Sequence, residues 1–257
     1  MENFDFVVSL FMKFGTTYTI AVISFLIVIF SKKRENNGLI YLLFLTMIYN
    51  TILKDIFKLP LPETCPSKGF GFPSGHMNFN AVFYFWLIMI NRNAIVRAGL
   101  LLMLAIIGWG MVYSGFHYAR DVILTPFFAL AVIFLYKLYI KNLEKEKEFS
   151  IILMISMSLI ALAFKMKGNI EFHMIIAYGI ILGFGSGILM LQKNKINLAT
   201  KILMMFGALL IFCFWDEKHQ LTVYHVFEKI KWIFVGGVIS FFKMLLKRCY
   251  KVTDTVG

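Results

Sequence analysis

His117 and Asp121 stand four residues apart in the run His117-Tyr118-Ala119-Arg120-Asp121, a spacing that places an imidazole and a carboxylate on one helix face. A carboxylate so placed can hold one ring nitrogen and leave the other as a nucleophile or base. A purely structural His–Asp pair has the same spacing. Upstream, Gly69-Phe70-Gly71-Phe72-Pro73-Ser74-Gly75-His76 leads directly into an apolar stretch. Pro73 suits the first turn of a helix there and Ser74 can cap it. Ser74, Gly75 and His76 would then offer backbone N–H groups at a positive helix end, which makes an anion site. Gly75 lets an oxyanion approach the backbone closely; taken alone, the segment is equally a loop that caps a helix. Lys54 precedes Pro60 and Pro62, which end its helix and turn the chain into a loop. Its ammonium can meet the same anion or snorkel to an interface. Arg120, three residues after His117, either adds charge to that face or contacts lipid headgroups.

The elements that must carry these groups are apolar. The chain has 257 residues, of which 60% are hydrophobic and 16% charged, and its mean hydropathy is +0.77. Such a chain cannot cover itself with polar surface, so most of its surface faces lipid. Apolar runs fall at 6–30, 38–53, 77–91, 96–116, 122–140, 149–165, 171–192, 200–215 and, more weakly, 230–246. The composition predicts an all-α polytopic bundle of eight or nine transmembrane helices and no strands. The first run lacks the basic n-region and small-residue cleavage site of a removable leader.

The net charge of +12 falls in short loops between apolar runs, which suits topology and anionic headgroups and not nucleic acid. Lys32, Lys33, Arg34, Arg92, Arg97, Lys137, Lys141, Lys145, Lys147, Lys193, Lys195, Lys201 and the basic tail occupy alternate loops. Positive-inside bias makes those loops cytoplasmic. Loop 54–76 and segment 113–121 then share the outer face. Cys65, Cys213 and Cys249 show neither metal-ligand spacing nor a disulfide framework. The alternating charges from Lys141 to Glu148 form a solvated helix end and the plausible boundary between a core at 1–147 and additional helices at 148–257.

Over roughly residues 40–140 the chain resembles the type-2 phosphatidic acid phosphatase superfamily of membrane lipid phosphatases. Lys54 and Pro62 keep the spacing of that family's first block, and Pro73-Ser74-Gly75-His76 matches the second. Val112-Tyr113, Gly115, His117-Tyr118 and Asp121-Val122 match the third. The resemblance implies a six-helix phosphatase-like core without a cofactor or metal. It implies His117 as the nucleophile on phosphorus, Asp121 orienting it, and His76 protonating the leaving alkoxide. Lys54, Ser74 and the Gly75 backbone would bind the phosphoryl oxygens, with Arg120 as an auxiliary. The family's two phosphate-binding arginines are replaced here by Leu61 and Met111, each removing a bidentate partner for the transition state. The expected function is a lipid phosphatase or phosphotransferase on a phospholipid or isoprenoid-phosphate substrate. The loss of arginine shifts weight toward diesters, as in headgroup transferases of the sphingomyelin-synthase type. A non-catalytic lipid-binding or scaffolding protein is the alternative, and a transporter a weaker one, since polar residues in the later runs are few.

Overall fold

The computed structural model describes residues 8, 10–31, 36–66, 69–140, 148–156, 159–160, 172–191 and 236–237. Among them every regular element is a helix, and the β feature is an isolated bridge between Pro60 and Phe70. The principal helices are α1 (Thr17–Phe30), α2 (Asn37–Phe57), α3 (Gly75–Ile90), α4 (Ala94–Tyr113), α5 (Ala119–Tyr139) and α6 (Phe172–Leu191). Residues 148–156 are also helical. The expected run at 200–215 lies outside the described residues, as does most of 230–246. The chain divides into two compact units, Met1–Val28 with Glu35–Leu138, and Ile29–Arg34 with Tyr139–Gly257. All candidate site residues belong to the first.

Among the described residues, three helices, α2, α4 and α5, are long and apolar enough to cross a membrane. Along α5, Val122, Thr125, Ala129, Ile133 and Tyr136 are buried at helical spacing, and the opposite stripe of Ile123, Phe127, Leu130, Phe134 and Leu138 is exposed. A helix bathed in water would carry polar residues on that second stripe. Apolar residues on both stripes are what lipid selects. By contrast α2 is buried through Thr51, and α3 packs against both α2 and α4.

Two elements depart from the expected runs. The run at 6–30 is not one continuous helix, because Gly15 and Thr16 interrupt it. The Thr16 hydroxyl accepts the Thr19 N–H at 3.3 Å and starts a new helix, which takes from the Gly15 carbonyl its natural helical donor. Asn80, fully buried in α3, supplies a replacement at 2.9 Å. In lipid such a carbonyl has no water to turn to, so the break depends on that side chain. The second run, expected to be short at 38–53, continues to Phe57, and Lys58 closes the helix in the left-handed region at φ 50° with its N–H on the Lys54 carbonyl. Pro60 then bars continuation.

Candidate functional site

Four chain ends converge on one end of the first unit: the C-termini of α2 and α4 and the N-termini of α3 and α5. Lys54 lies in the last turn of α2. After Lys58 the chain makes a narrow loop in which the Gly71 N–H reaches the Leu59 carbonyl at 2.7 Å and the Leu61 N–H reaches Gly69 at 3.4 Å. This fold-back sets Gly71 against the catalytic candidates. A Cβ at Gly71 would stand 3.0 Å from Asp121 Oδ2 and 3.3 Å from the Leu61 Cα. The Leu61 backbone, where the resembled family carries an arginine, therefore borders Gly71, which faces the carboxylate.

Ser74 caps α3 as expected, its hydroxyl oxygen accepting the Met77 N–H at 3.3 Å. Two details of the expectation are corrected. Pro73 lies outside the helix, preceding the cap, because Ser74 holds an extended backbone at φ −67° and ψ 117°. The Ser74 N–H is not open to an anion either: it donates to Thr125 Oγ1 at 2.9 Å. The Gly75 N–H has no partner among the described residues. The His76 side chain follows at the helix start, in an exposed residue, while its carbonyl accepts Asn80 at 2.8 Å.

The α4–α5 connection builds the other half. Gly115 sits at φ 72°, its N–H on the Val112 carbonyl and the Phe116 N–H on that of Met111. This pair of bonds is the Schellman closure, which calls for a residue in the left-handed region. Thr64 from the preceding loop donates its hydroxyl to the Gly115 carbonyl at 3.1 Å and ties the two loops together. The closure also corrects the expectation that His117 and Asp121 share a helix face. His117 lies in the turn before α5, and the helix begins at Ala119. The two are brought together instead by the helix start. Asp121, in the first turn, reaches back to accept the Tyr118 N–H at 3.3 Å, half of a capping box, which leaves Oδ2 3.9 Å from His117 Nδ1.

That distance is longer than a hydrogen bond. His117 Nδ1 and Asp121 Oδ1 are both buried without a hydrogen-bond partner. Burial, then the positive charges of Lys54 and His76, push the His117 imidazole down to about 4. Lys54 is within electrostatic reach of Asp121 as well. Arg120 is engaged by Asp121 and Tyr118: its Nε is 3.5 Å from Asp121 Oδ1, and its guanidinium lies 4.9 Å from the centroid of the Tyr118 ring. Lys54, His76, His117 and Asp121 thus form one electrostatic cluster, with the Ser74–Gly75 turn joined to it through Thr125. Met111, the second position lacking an arginine, is buried at 3% exposure within the helix packing.

Sequence reasoning passed over Gly71, Asn50 and Thr125. Asn50 and Thr125 left one usable trace, a polar side chain inside a run otherwise selected by lipid.

A family model described as the PAP2 superfamily matches residues 36–145. Comparison with curated proteins and with solved structures gives no match. The matched span, residues 36–145, holds Lys54, Ser74, Gly75, His76, His117, Arg120 and Asp121 alike, and over that span the chain is similar to the PAP2 superfamily, whose members are in general phosphatases.

Proposed function

We propose that the protein is a multi-pass membrane lipid phosphatase or phosphotransferase acting on a phosphate ester or pyrophosphate of a lipid through a phosphohistidine intermediate. The observation that carries this reading is the buried His117 ring with Nδ1 3.9 Å from the Asp121 carboxylate; burial and the neighbouring Lys54 and His76 push the imidazole down, to about 4, which favours its neutral form. Nε2 then holds the free lone pair. It attacks phosphorus, the bond from phosphorus to the lipid oxygen breaks with its electron pair on oxygen, and His76 gives that oxygen a proton. His76 next takes a proton from water or an acceptor hydroxyl, whose oxygen attacks phosphorus. The P–N bond breaks and His117 is restored.

Lys54, the Gly75 N–H and the Ser74 hydroxyl proton hold the equatorial oxygens, because phosphoryl transfer depends on positioned positive charge. The basic loops favour a site on the outer face, where a phospholipid or isoprenoid-phosphate headgroup presents itself. Leu61, which borders Gly71 at the site, favours a second, narrower reading. With an apolar side chain where a guanidinium would pair with two oxygens, the site suits a diester or pyrophosphate, whose transferring group carries less charge than a monoester.

The test is turnover of purified protein in detergent on a panel of phospho- and pyrophospho-lipids, beside His117→Ala. Turnover by the wild type that is absent in His117→Ala supports the reading. Absence of turnover across the panel points to a lipid-binding protein that keeps the fold.

A further inference from the structure

One peptide group at the site is held at both of its polar atoms by side chains from different helices. The Pro73 carbonyl accepts Asn50 Nδ2 from α2 at 3.1 Å. The N–H of the same peptide, belonging to Ser74, donates to Thr125 Oγ1 from α5 at 2.9 Å. Both side chains belong to buried residues, Asn50 at 4% and Thr125 at 0% exposure. Each is four residues from a member of the cluster on its own helix, Asn50 before Lys54 and Thr125 after Asp121. The Thr125 hydroxyl in turn donates to the Asp121 carbonyl.

Neither side chain is free to turn. Asn50 Oδ1 accepts Asn78 Nδ2 at 3.2 Å, and Asn78 Oδ1 accepts the Tyr49 hydroxyl at 2.9 Å. That chain fixes which end of each amide points where. Thr125 has one proton, spent on Asp121, so it can only accept from Ser74. Gly75 completes the arrangement: a Cβ there would come within 3.2 Å of Asn50 Nδ2.

We infer that Asn50 and Thr125 are positioning residues that clamp the Pro73–Ser74 peptide, and so set the open Gly75 N–H in register with Lys54 on one side and Asp121 on the other. The inference deepens the phosphoryl-transfer reading, on which its kinetic part rests. A rotated peptide would misdirect the Gly75 N–H while leaving His76, His117 and Asp121 in place, so the loss falls on kcat and on affinity for a phosphoryl mimic. Misplacement by about 1 Å typically costs roughly 100-fold.

The experiment combines hydrogen exchange at the Ser74 amide, by mass spectrometry on the full chain in detergent, with kinetics and orthovanadate inhibition. Thr125→Val keeps the shape and removes the acceptor; Thr125→Ser keeps it; Asn50→Ala releases the carbonyl end. The clamp requires slow Ser74 exchange in wild type and Thr125→Ser, and fast exchange in Thr125→Val. It also requires a kcat loss of roughly 100-fold in Thr125→Val with weakened vanadate inhibition, most of it recovered in Thr125→Ser. Should Thr125→Val fail to fold, Asn50→Ala must show the same pattern. Ser74 exchange unchanged in whichever of the two variants folds overturns the clamp. If the wild type turns over no lipid phosphate while Ser74 exchange responds as stated, the clamp stands as structure and the phosphatase reading falls.

Discussion

The Pro73–Ser74 peptide is held at its carbonyl by Asn50 and at its N–H by Thr125, whereas across the site His117 Nδ1 and Asp121 Oδ1 are buried with no hydrogen-bond partner. A buried polar atom left unsatisfied costs about 1–3 kcal/mol. The Pro73–Ser74 peptide avoids that cost through its own protein; His117 Nδ1 bears it, while Asp121 Oδ1 faces the Arg120 Nε at 3.5 Å. The difference teaches where rigidity is useful. Backbone donors must already point at the oxygens before charge develops on them. The imidazole and carboxylate, 3.9 Å apart, are close enough to tighten when a phosphoryl group arrives, and such bonds are often long without substrate.

Breaking the nucleophile turn produces the largest effect. His117→Ala lowers kcat by ~10⁴-fold or more. His76→Ala blocks protonation of the leaving oxygen. Asp121→Asn costs less than His117→Ala, because it misorients the ring without deleting it. If Asp121→Asn equals His117→Ala in a steady-state assay, the carboxylate does more than orient.

The next effect is a displaced pH profile. His117 is pushed down to about 4 by burial first, then by Lys54 and His76. It stays neutral and nucleophilic above that value and is protonated below it, so kcat/KM falls on the acid side near pH 4. Lys54→Met removes a positive neighbour and moves this limb upward, part of the way to the ordinary 6.5, because burial remains. A limb that stays put in Lys54→Met shows that the lysine does not act on the ring.

Gly115→Ala sharpens the comparison from the scaffold side. The residue sits at φ 72°, and its new Cβ would stand 2.8 Å from Thr64 Oγ1. A loss of about 1–3 kcal/mol follows from the backbone alone, read as a lower Tm in detergent together with weakened activity. Unchanged stability would mean the α4–α5 turn relaxes freely.

The smallest effect is a gain. Leu61→Arg, alone or with Met111→Arg, raises monoester hydrolysis a few-fold, since each guanidinium can pair with two oxygens. Leu61 adjoins Gly71, which faces Asp121, while Met111 is buried in packing, so the single Leu61 change carries most of the gain. Arg120→Ala belongs in the same series, and leaves the gain intact, since Arg120 is held on Asp121 and Tyr118.

Helix type, the Ser74 cap and the grouping of two distant motif segments at one end of the unit were legible because local chemistry decides them. Periodicity could not show the break at Gly15–Thr16, since it rests on Asn80 reaching across from another helix. Nor could spacing show how His117 meets Asp121. The four-residue interval suggests a shared helix face, yet Gly115 ends α4 and the pair meets through the cap of α5. Gly71, Asn50 and Thr125 escaped notice for the same reason. Their roles are contacts between segments far apart in sequence, and nothing local distinguishes a clamping amide from a tolerated one.

The most direct measurement is trapping of the covalent intermediate. Purified protein is mixed with a lipid substrate carrying ³²P in the transferred group, quenched in alkali within one turnover, and the label mapped by peptide. The account requires label on the His117 peptide, stable to alkali and released by acid, and absent in His117→Ala. Turnover with no label on His117, or label persisting in His117→Ala, contradicts it.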